Sequence, residues 1–263
     1  EDSLINDYQK LLSRGANLAG LKGAIDYYKV YTESYFNLDL NARANIIGDN
    51  PTDMKDAFYG NGDVKGPSAD HGSMVSGIIG AVRNNGIGIN GIATAVKIMA
   101  LRSIPNGDEY DKDVALSIRY AVDNGANIIN MSFGKGYSPM ESEVYAAIKY
   151  AESKGVLMIA ASGNEGQDVD VITHYPTPYS KQGNLVSTWL TVGANSKYFK
   201  EKMTASFSNY GAEKVHVFAP GVKVISISPD DNYDMMNGTS FSCPVVTGVA
   251  ALVWSYYPEL SAS

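Results

Sequence analysis

The 263-residue chain has a single cysteine, Cys243, which excludes an intrachain disulfide framework. It has 21 Lys and Arg residues against 28 Asp and Glu residues, a formal net charge of −7, so it lacks the basic surface that nucleic-acid binding requires. The sequence contains no signal-peptide pattern and no apolar run long enough to span a membrane. These absences are consistent with an acidic protein that is long enough to bury a sizeable hydrophobic core as one domain.

The order of strand and helix patterns predicts the fold class. Apolar residues at three- and four-residue spacing indicate helices over 111–124 and from Ser138 to Gly155, and Pro258 begins a pattern typical of a further helix. Apolar runs of strand length lie at 96–101, 127–132, 156–161, 189–194, 215–219 and 222–227. Because such alternation is typical of parallel sheets with helices on both faces, we predict an α/β fold.

Ser240 lies between a Gly-Thr turn and an apolar helix rich in small residues, in the stretch NGTSFSCP at 237–244. A serine at the start of a helix faces unpaired N–H groups and the positive end of the helix dipole, which favour a developing anion. Many serines before helices are ordinary N-caps. This pattern alone therefore leaves a nucleophile and a cap both open.

His71 begins a second helix rich in small residues, in the stretch DHGSMVSGIIG at 70–80. The chain has only two other histidines: His216, in an apolar run that predicts a strand, and His174, in a Pro-rich loop and without an assigned role. A neutral imidazole suits a serine hydroxyl as a base because its pKa lies near working pH. A lone histidine is usually structural, so the assignment of His71 depends on the accompanying motifs.

Asn164 follows an apolar strand in the stretch VLMIAASGNEG at 156–166. Open α/β sheets bind ligands at loops that follow the carboxyl ends of their strands. An asparagine in such a loop can donate its side-chain N–H to an oxyanion. The alternative is a turn-forming asparagine before Glu-Gly.

Taken together, in the order His, Asn, Ser, these three motifs resemble those of the subtilisin-like serine proteases. The similarity includes the His-Gly-x-x-Val-x-Gly-x-Ile-Gly, Ser-Gly-Asn and Gly-Thr-Ser-x-x-x-Pro blocks. Weaker agreement occurs at 91–93, 129–134, 205–211 and 219–221, so the resemblance runs from about Gly60 to Pro258. One departure is Met74, at a position where the family usually has a second histidine.

The resemblance implies a subtilisin-like catalytic domain over 59–263, truncated at both ends, after a helical insertion or linker at 1–58. It implies a serine endopeptidase with a Ser/His/Asp triad that acts on polypeptide substrates. Ser240 would attack the peptide carbonyl, and His71 would take its proton and return it to the leaving amine. The Asn164 side chain and the Ser240 N–H would hold the oxyanion.

Three segments are implied to bind substrate. Two would wall the primary specificity pocket, and the third would offer a strand edge to an extended peptide. The walls are Ser132, Phe133 and Gly134 on one side and Ala161, Ser162 and Gly163 on the other; the edge is Ser103, Ile104 and Pro105. Phe133 favours an apolar pocket.

The triad aspartate has no clear counterpart in this sequence. In the family it ends an apolar strand before the histidine and precedes a Thr/Ser-Gly turn, and no such segment precedes His71. Asp49 follows only a two-residue apolar stub and a glycine, and Asp70 would point away from its neighbour His71 in any regular backbone. We expect the aspartate on an upstream segment outside this chain, which would make the chain a fragment and that segment its partner.

Two other functions stay open. A catalytically silent module that binds extended peptides would agree with Met74 and with the missing aspartate. An esterase of the α/β-hydrolase type would carry a Gly-x-Ser-x-Gly elbow and place its serine before its histidine, the reverse of the order here.

No cofactor is expected. Calcium is common in the family, but acidic loops are more often simply solvated, so no metal is assigned. The acidic groups concerned are Asp108, Asp111 and Asp113, or Asp168 and Asp170. By resemblance the protein is secreted, periplasmic or at the cell surface.

Overall fold

The computed structural model describes residues 39–93, 95–105, 109–200 and 203–263, with residues 25, 29, 32, 33 and 37. Most of the helical insertion or linker predicted for 1–58 lies outside these residues. The described residues form two compact units that separate between Asn50 and Pro51, with Pro105 in the first unit. The boundary predicted between residues 58 and 59 stays a prediction.

The first unit contains a π-helical turn at Arg43–Ile47. The turn ends at Gly48, whose φ of 75° is a left-handed conformation that glycine adopts without a steric penalty. The guanidinium of Arg43 then reaches the buried carboxylate of Asp49, with Nε 2.8 Å from Oδ2. The Asp49 carboxylate is therefore held in an ion pair within its own unit.

The second unit is built on a parallel sheet of four strands in the order β1-β2-β3-β4. Each strand coincides with a predicted strand to within two residues. Their side chains form nearly continuous apolar runs because parallel strands are covered on both faces. The strands are β1 (Ile128–Met131), β2 (Leu157–Ala161), β3 (Trp189–Asn195) and β4 (Val217–Pro220).

Helices cover both faces of this sheet, which confirms the predicted α/β fold. They are α2 (Asp111–Asp123), α3 (Glu141–Ser153) and α4 (Thr239–Tyr256), while α1 (Asp70–Gly80) packs against α4. Helices α2 and α3 share a core cluster with Met158 and Ala160, whereas α4 packs with Ile159 and Ala161. Alternate residues of β2 therefore face opposite layers. None of the described helices is long and apolar enough to cross a membrane.

Three expectations from the sequence were wrong. The run at 96–101 forms no strand, because it pairs with none of the described strands. The run at 222–227 does form strand β5 (Val224–Ser228), but this pairs antiparallel with the unpredicted β6 (Asn232–Met236) outside the main sheet. Residues 257–263 form a turn and no helix.

Candidate active site

Ser240 lies in the first turn of α4, directly after the glycine turn that the sequence predicts. Gly238 has a φ of 151°, a conformation open to glycine, and the helix begins at Thr239. The Ser240 Oγ donates to the carbonyl oxygen of Ser132 at 3.1 Å, and the Ser132 Oγ donates to the Ser240 carbonyl at 2.8 Å. This reciprocal pair ties the start of α4 to the end of β1.

The backbone N–H of Ser240 is available to a ligand. First-turn N–H groups have no acceptor within their own helix. Over the ranges that the structure describes, no carbonyl or side chain accepts this N–H. It is one of the two donors that the resemblance assigns to the oxyanion.

A polar network centred on Asn130 holds the Ser132 side chain in place. The Nδ2 of Asn130 donates to the Ser132 Oγ at 2.9 Å, and its Oδ1 accepts the Thr247 hydroxyl at 2.9 Å and the Cys243 thiol at 3.2 Å. Burial raises the pKa of the Cys243 thiol to about 12. Cys243 is therefore an unreactive core residue.

The orientation of the Asn164 amide is fixed by Thr239. The Oδ1 of Asn164 lies 2.8 Å from the backbone nitrogen of Thr239 and 3.0 Å from its hydroxyl oxygen. Because a backbone N–H can only donate, the amide oxygen must face α4. The amide NH₂ then points away from Thr239, and none of the described residues accepts a hydrogen bond from it. An exposed donor is thus available beside Ser240.

His71 is the second residue of α1, and its ring packs against Phe241, the residue after Ser240. The two ring centroids are 5.6 Å apart, with an angle of 50° between the planes. Although part of the imidazole is exposed, the protein packed around it removes water and lowers the pKa of His71 below its ordinary value. The ring is therefore neutral near pH 7, the state that a general base requires.

The structure does not join His71 to the other predicted triad groups. The Ser240 hydroxyl donates to Ser132, and no described carboxylate forms a hydrogen bond or ion pair with the imidazole. Asp70 instead accepts the Ser68 hydroxyl at 2.6 Å, and Asp49 is bound to Arg43. The described contact of His71 is thus with Phe241, the residue after Ser240, while the Ser240 hydroxyl bonds to Ser132.

Met74, the residue that departs from the family pattern, belongs to the hydrophobic core. Its side chain is 2% exposed and packs with Ile78 and Phe241 between α1 and α4. The methionine therefore contributes to packing beneath the His71 helix.

Asn209 is a buried residue to which the sequence motifs assign no function. Its Oδ1 accepts the backbone N–H groups of Glu165 and Gln167, at 3.2 and 2.8 Å. Its Nδ2 donates to the Ser162 carbonyl at 2.8 Å and to the Glu165 carboxylate at 2.6 Å. All of its side-chain bonds thus fix the loop that presents Asn164. The available signal was the SFSNYG stretch at 206–211, one of the weaker similarities to the family.

Replacement of Asn209 by alanine is expected to destabilise the fold by about 2–4 kcal/mol, because four hydrogen bonds are lost and the carbonyl of the buried Ser162 stays unpaired. Urea unfolding measures this loss. The control is Asn124→Ala, which removes one exposed hydrogen bond to the Tyr120 carbonyl and should cost less than about 1 kcal/mol. Equal losses in the two variants would contradict a supporting role for Asn209.

The residues predicted to bind substrate are only partly brought together. Ser132 adjoins Ser240, and the 1%-exposed Ser162 bonds to the Asn209 carbonyl at 3.1 Å. Phe133 packs against the core cluster of α2 and α3. At the predicted strand edge, Ser103 and Ile104 are half-buried, Pro105 is exposed, and these residues form no β-ladder in the described structure. Gly134 and Gly163 flank the side chain of His174. Ala161 lines a cavity beside that side chain.

The acidic loops considered for calcium are engaged in internal bonds. Asp111 pairs with Lys135 at 2.8 Å, and Asp113 accepts the Tyr59 hydroxyl. Asp170 accepts backbone N–H groups from 212–214, and Asp168 accepts that of Asp170. Asp108 lies outside the described residues. Within the described residues, no three acidic, histidine or cysteine side chains are grouped for a metal ion.

Comparison with known proteins identifies the family of the chain. The model of the subtilase family, Peptidase_S8, matches residues 27–263. The chain belongs to the subtilase family. It is 40% identical over 187 residues to the Thermophilic serine proteinase of Bacillus sp. (strain AK1), covering 71% of this chain and 43% of that protein. It is 33% identical over 251 residues to Subtilisin Savinase of Lederbergia lenta, covering 95% of this chain and 81% of that protein.

Solved structures show the same fold. Sphericase superposes with a TM-score of 0.63 at 29% identity, over 73% of this chain and 66% of that structure. The present chain spans less than half the length of the Bacillus proteinase. The subtilase fold and family are therefore established.

Proposed function

We propose that this subtilase is a serine endopeptidase in which Ser240 attacks a peptide carbonyl. His71 takes the proton from the Ser240 hydroxyl and returns it to the leaving amine. The Asn164 amide and the Ser240 N–H stabilise the oxyanion of the tetrahedral intermediate. Every group in this scheme is a side chain or backbone group of the protein.

The orientation of Asn164 is the observation on which this proposal rests. Thr239 holds the amide oxygen at 2.8 Å from its own nitrogen, which directs the donor NH₂ group away from the helix. A turn-forming asparagine would need no such restraint from a residue 75 positions along the chain. A fixed donor beside an unpaired N–H suits a charge that develops only during reaction, because neither group reorganises as the charge appears.

Before reaction, the Ser240 hydroxyl must turn from the Ser132 carbonyl toward His71. One hydrogen bond of 3.1 Å holds it in the resting position. Exchanging one bond for another costs little, since the net contribution of such a bond is about 1 kcal/mol. The resting geometry is therefore compatible with a reactive serine.

The carboxylate that orients His71 is supplied by a segment outside the described residues. Two observations support this. The imidazole has no carboxylate partner over the described ranges, and the outer edge of β1 is unpaired there. A parallel strand along that edge would end level with Ser132, which contacts Ser240. An aspartate at its end would lie near the reacting groups.

One other function has specific support. A silent module would bind extended peptides without turnover, in agreement with the Ser240 hydroxyl bonded to Ser132 and the unaccompanied His71. The two functions differ in whether Ser240 reacts. In both functions, residues 103–105 would pair with an extended peptide. In both, the protein would be secreted, periplasmic or located at the cell surface.

Replacement of Asn164 by alanine is expected to lower kcat by roughly 10²–10³, the range measured for the corresponding donor of subtilisin, with little change in KM. Peptide hydrolysis by the protein together with its aspartate-bearing segment measures both constants. Asn164→Asp keeps an acceptor for Thr239 but removes the donor, so it should lose kcat as well.

The control for Asn164 is Asn232→Ala, which removes an exposed amide whose Nδ2 donates to Pro229 at 3.3 Å. Its kinetic constants should match those of the unmodified protein. A loss confined to KM in Asn164→Ala would make this residue a substrate-positioning or turn residue.

A further inference from the structure

His174 lies between the two segments assigned as walls of the primary pocket. A methyl group placed on Gly134 would lie 2.2 Å from the Nε2 of His174, and one on Gly163 would lie 2.8 Å from its Cε1. These ring atoms are bonded to each other, so the same end of one imidazole contacts both walls. The ring fits there only because both wall residues lack a side chain.

The loop that bears His174 is fastened to one of these walls. Tyr175 pairs with Lys135, the residue after Gly134, through two backbone hydrogen bonds of 2.9 and 2.8 Å. These bonds fix the backbone next to His174 against the wall. The position of the ring between the walls is thus set by the main chain on both sides.

The imidazole itself is largely enclosed. Its side chain is 14% exposed, and its Nδ1 lies 4.0 Å from the carboxylate of Glu165, which also accepts a bond from Asn209. Its Nε2 is buried and has no hydrogen-bond partner among the described residues. The ring therefore fills the space between the walls rather than bridging them through polar bonds.

This space adjoins the reacting groups. Gly163 directly precedes Asn164, the proposed oxyanion donor, and the Gly134 segment begins at Ser132, which bonds Ser240. A substrate whose carbonyl lies at Ser240 would direct the side chain on the acyl side of its scissile bond between the two walls. In this chain that side chain meets His174.

We propose that His174 occupies the inner part of the primary pocket and restricts the residue on the acyl side of the scissile bond to short side chains such as alanine. This inference rests on the proposed endopeptidase function. An aromatic side chain would need the volume that the imidazole fills, and close-packed groups yield such volume only at a cost. The protein thereby selects peptides with small residues before the cleaved bond.

The test is the hydrolysis of two matched peptide p-nitroanilides, ending in alanine and in phenylalanine, by the protein together with its aspartate-bearing segment. The unmodified protein should show a kcat/KM for the alanine substrate at least about tenfold above that for phenylalanine. His174→Gly should raise the ratio of kcat/KM for phenylalanine to that for alanine by about tenfold or more. Ile172→Ala, which removes an exposed side chain of the same loop, should leave the ratio unchanged.

Equal or faster cleavage of the phenylalanine substrate by the unmodified protein would overturn the proposal without any variant. An unchanged ratio in a folded His174→Gly protein would overturn it too. Binding of peptides that end in alanine or phenylalanine to the Ser240→Ala protein separates the pocket from the reaction. Tighter binding of alanine there would support the pocket assignment even if no peptide were cleaved, whereas tighter binding of phenylalanine would contradict it.

Discussion

The Ser240→Ala protein is expected to lose peptide hydrolysis while it keeps its fold. Loss of the nucleophile in subtilisin, a member of the same family, lowers kcat by roughly 2 × 10⁶, and a similar loss is expected here. The structural cost is small, because the Ser240 hydroxyl makes a single bond to the Ser132 carbonyl, worth about 0.5–1.5 kcal/mol. Steady-state kinetics and thermal unfolding of the same preparation measure both effects.

Ser242→Ala is the matched control for this variant. It removes a hydroxyl from the same helix, two residues away, that is buried and makes no hydrogen bond among the described residues. Its hydrolysis rate should equal that of the unmodified protein. Undiminished turnover by a folded Ser240→Ala protein would end the serine-protease interpretation.

The second large effect concerns the carboxylate for His71. This chain alone is expected to be a poor catalyst, and a segment that carries the triad aspartate should restore it. Removal of the triad aspartate in subtilisin lowers kcat by roughly 3 × 10⁴. The physical reason is that a carboxylate fixes the imidazole tautomer and stabilises the imidazolium that forms during attack.

The pKa of His71 provides a readout that does not depend on turnover. Burial lowers this pKa in the described structure, whereas a neighbouring carboxylate favours the imidazolium and raises it. NMR titration should therefore give a value below 6.5 for the chain alone and a higher value once the segment is present.

A segment with its aspartate changed to asparagine is the control, and should restore neither the activity nor the raised pKa. The proposal fails if the chain alone is fully active and Asp49→Asn abolishes that activity. The Arg43 ion pair of Asp49 argues against this outcome.

The sequence predicts those parts of the fold that depend on local pattern. Strands β1 to β4 are short apolar runs, and the central strands β2 and β3 are largely buried, so their positions follow from composition. The run at 96–101 is also apolar, but a strand needs a neighbour with which it forms a ladder, and this run pairs with none of the described strands. Pairing is a property of the whole sheet, so a single segment does not reveal it.

In the candidate site, too, local motifs are visible in the sequence and long-range contacts are not. The motifs identify Ser240, His71 and Asn164, because each belongs to a short stretch with a recognisable chemistry. They do not reveal that Thr239 orients the Asn164 amide or that Asn209 holds its loop, since these contacts join distant positions. His174 was overlooked for the same reason: its place between Gly134 and Gly163 exists only in the folded chain.

Reaction with a fluorophosphonate, followed by mass spectrometry of the digested protein, tests the central claim most directly, because only an activated serine is phosphonylated. The protein together with its aspartate-bearing segment should gain one phosphonyl group, on the peptide that contains Ser240, and His71→Ala should greatly slow this labelling. An unlabelled but folded protein that still binds extended peptides would contradict the account and identify a silent binding module. Labelling at a different serine would contradict it equally.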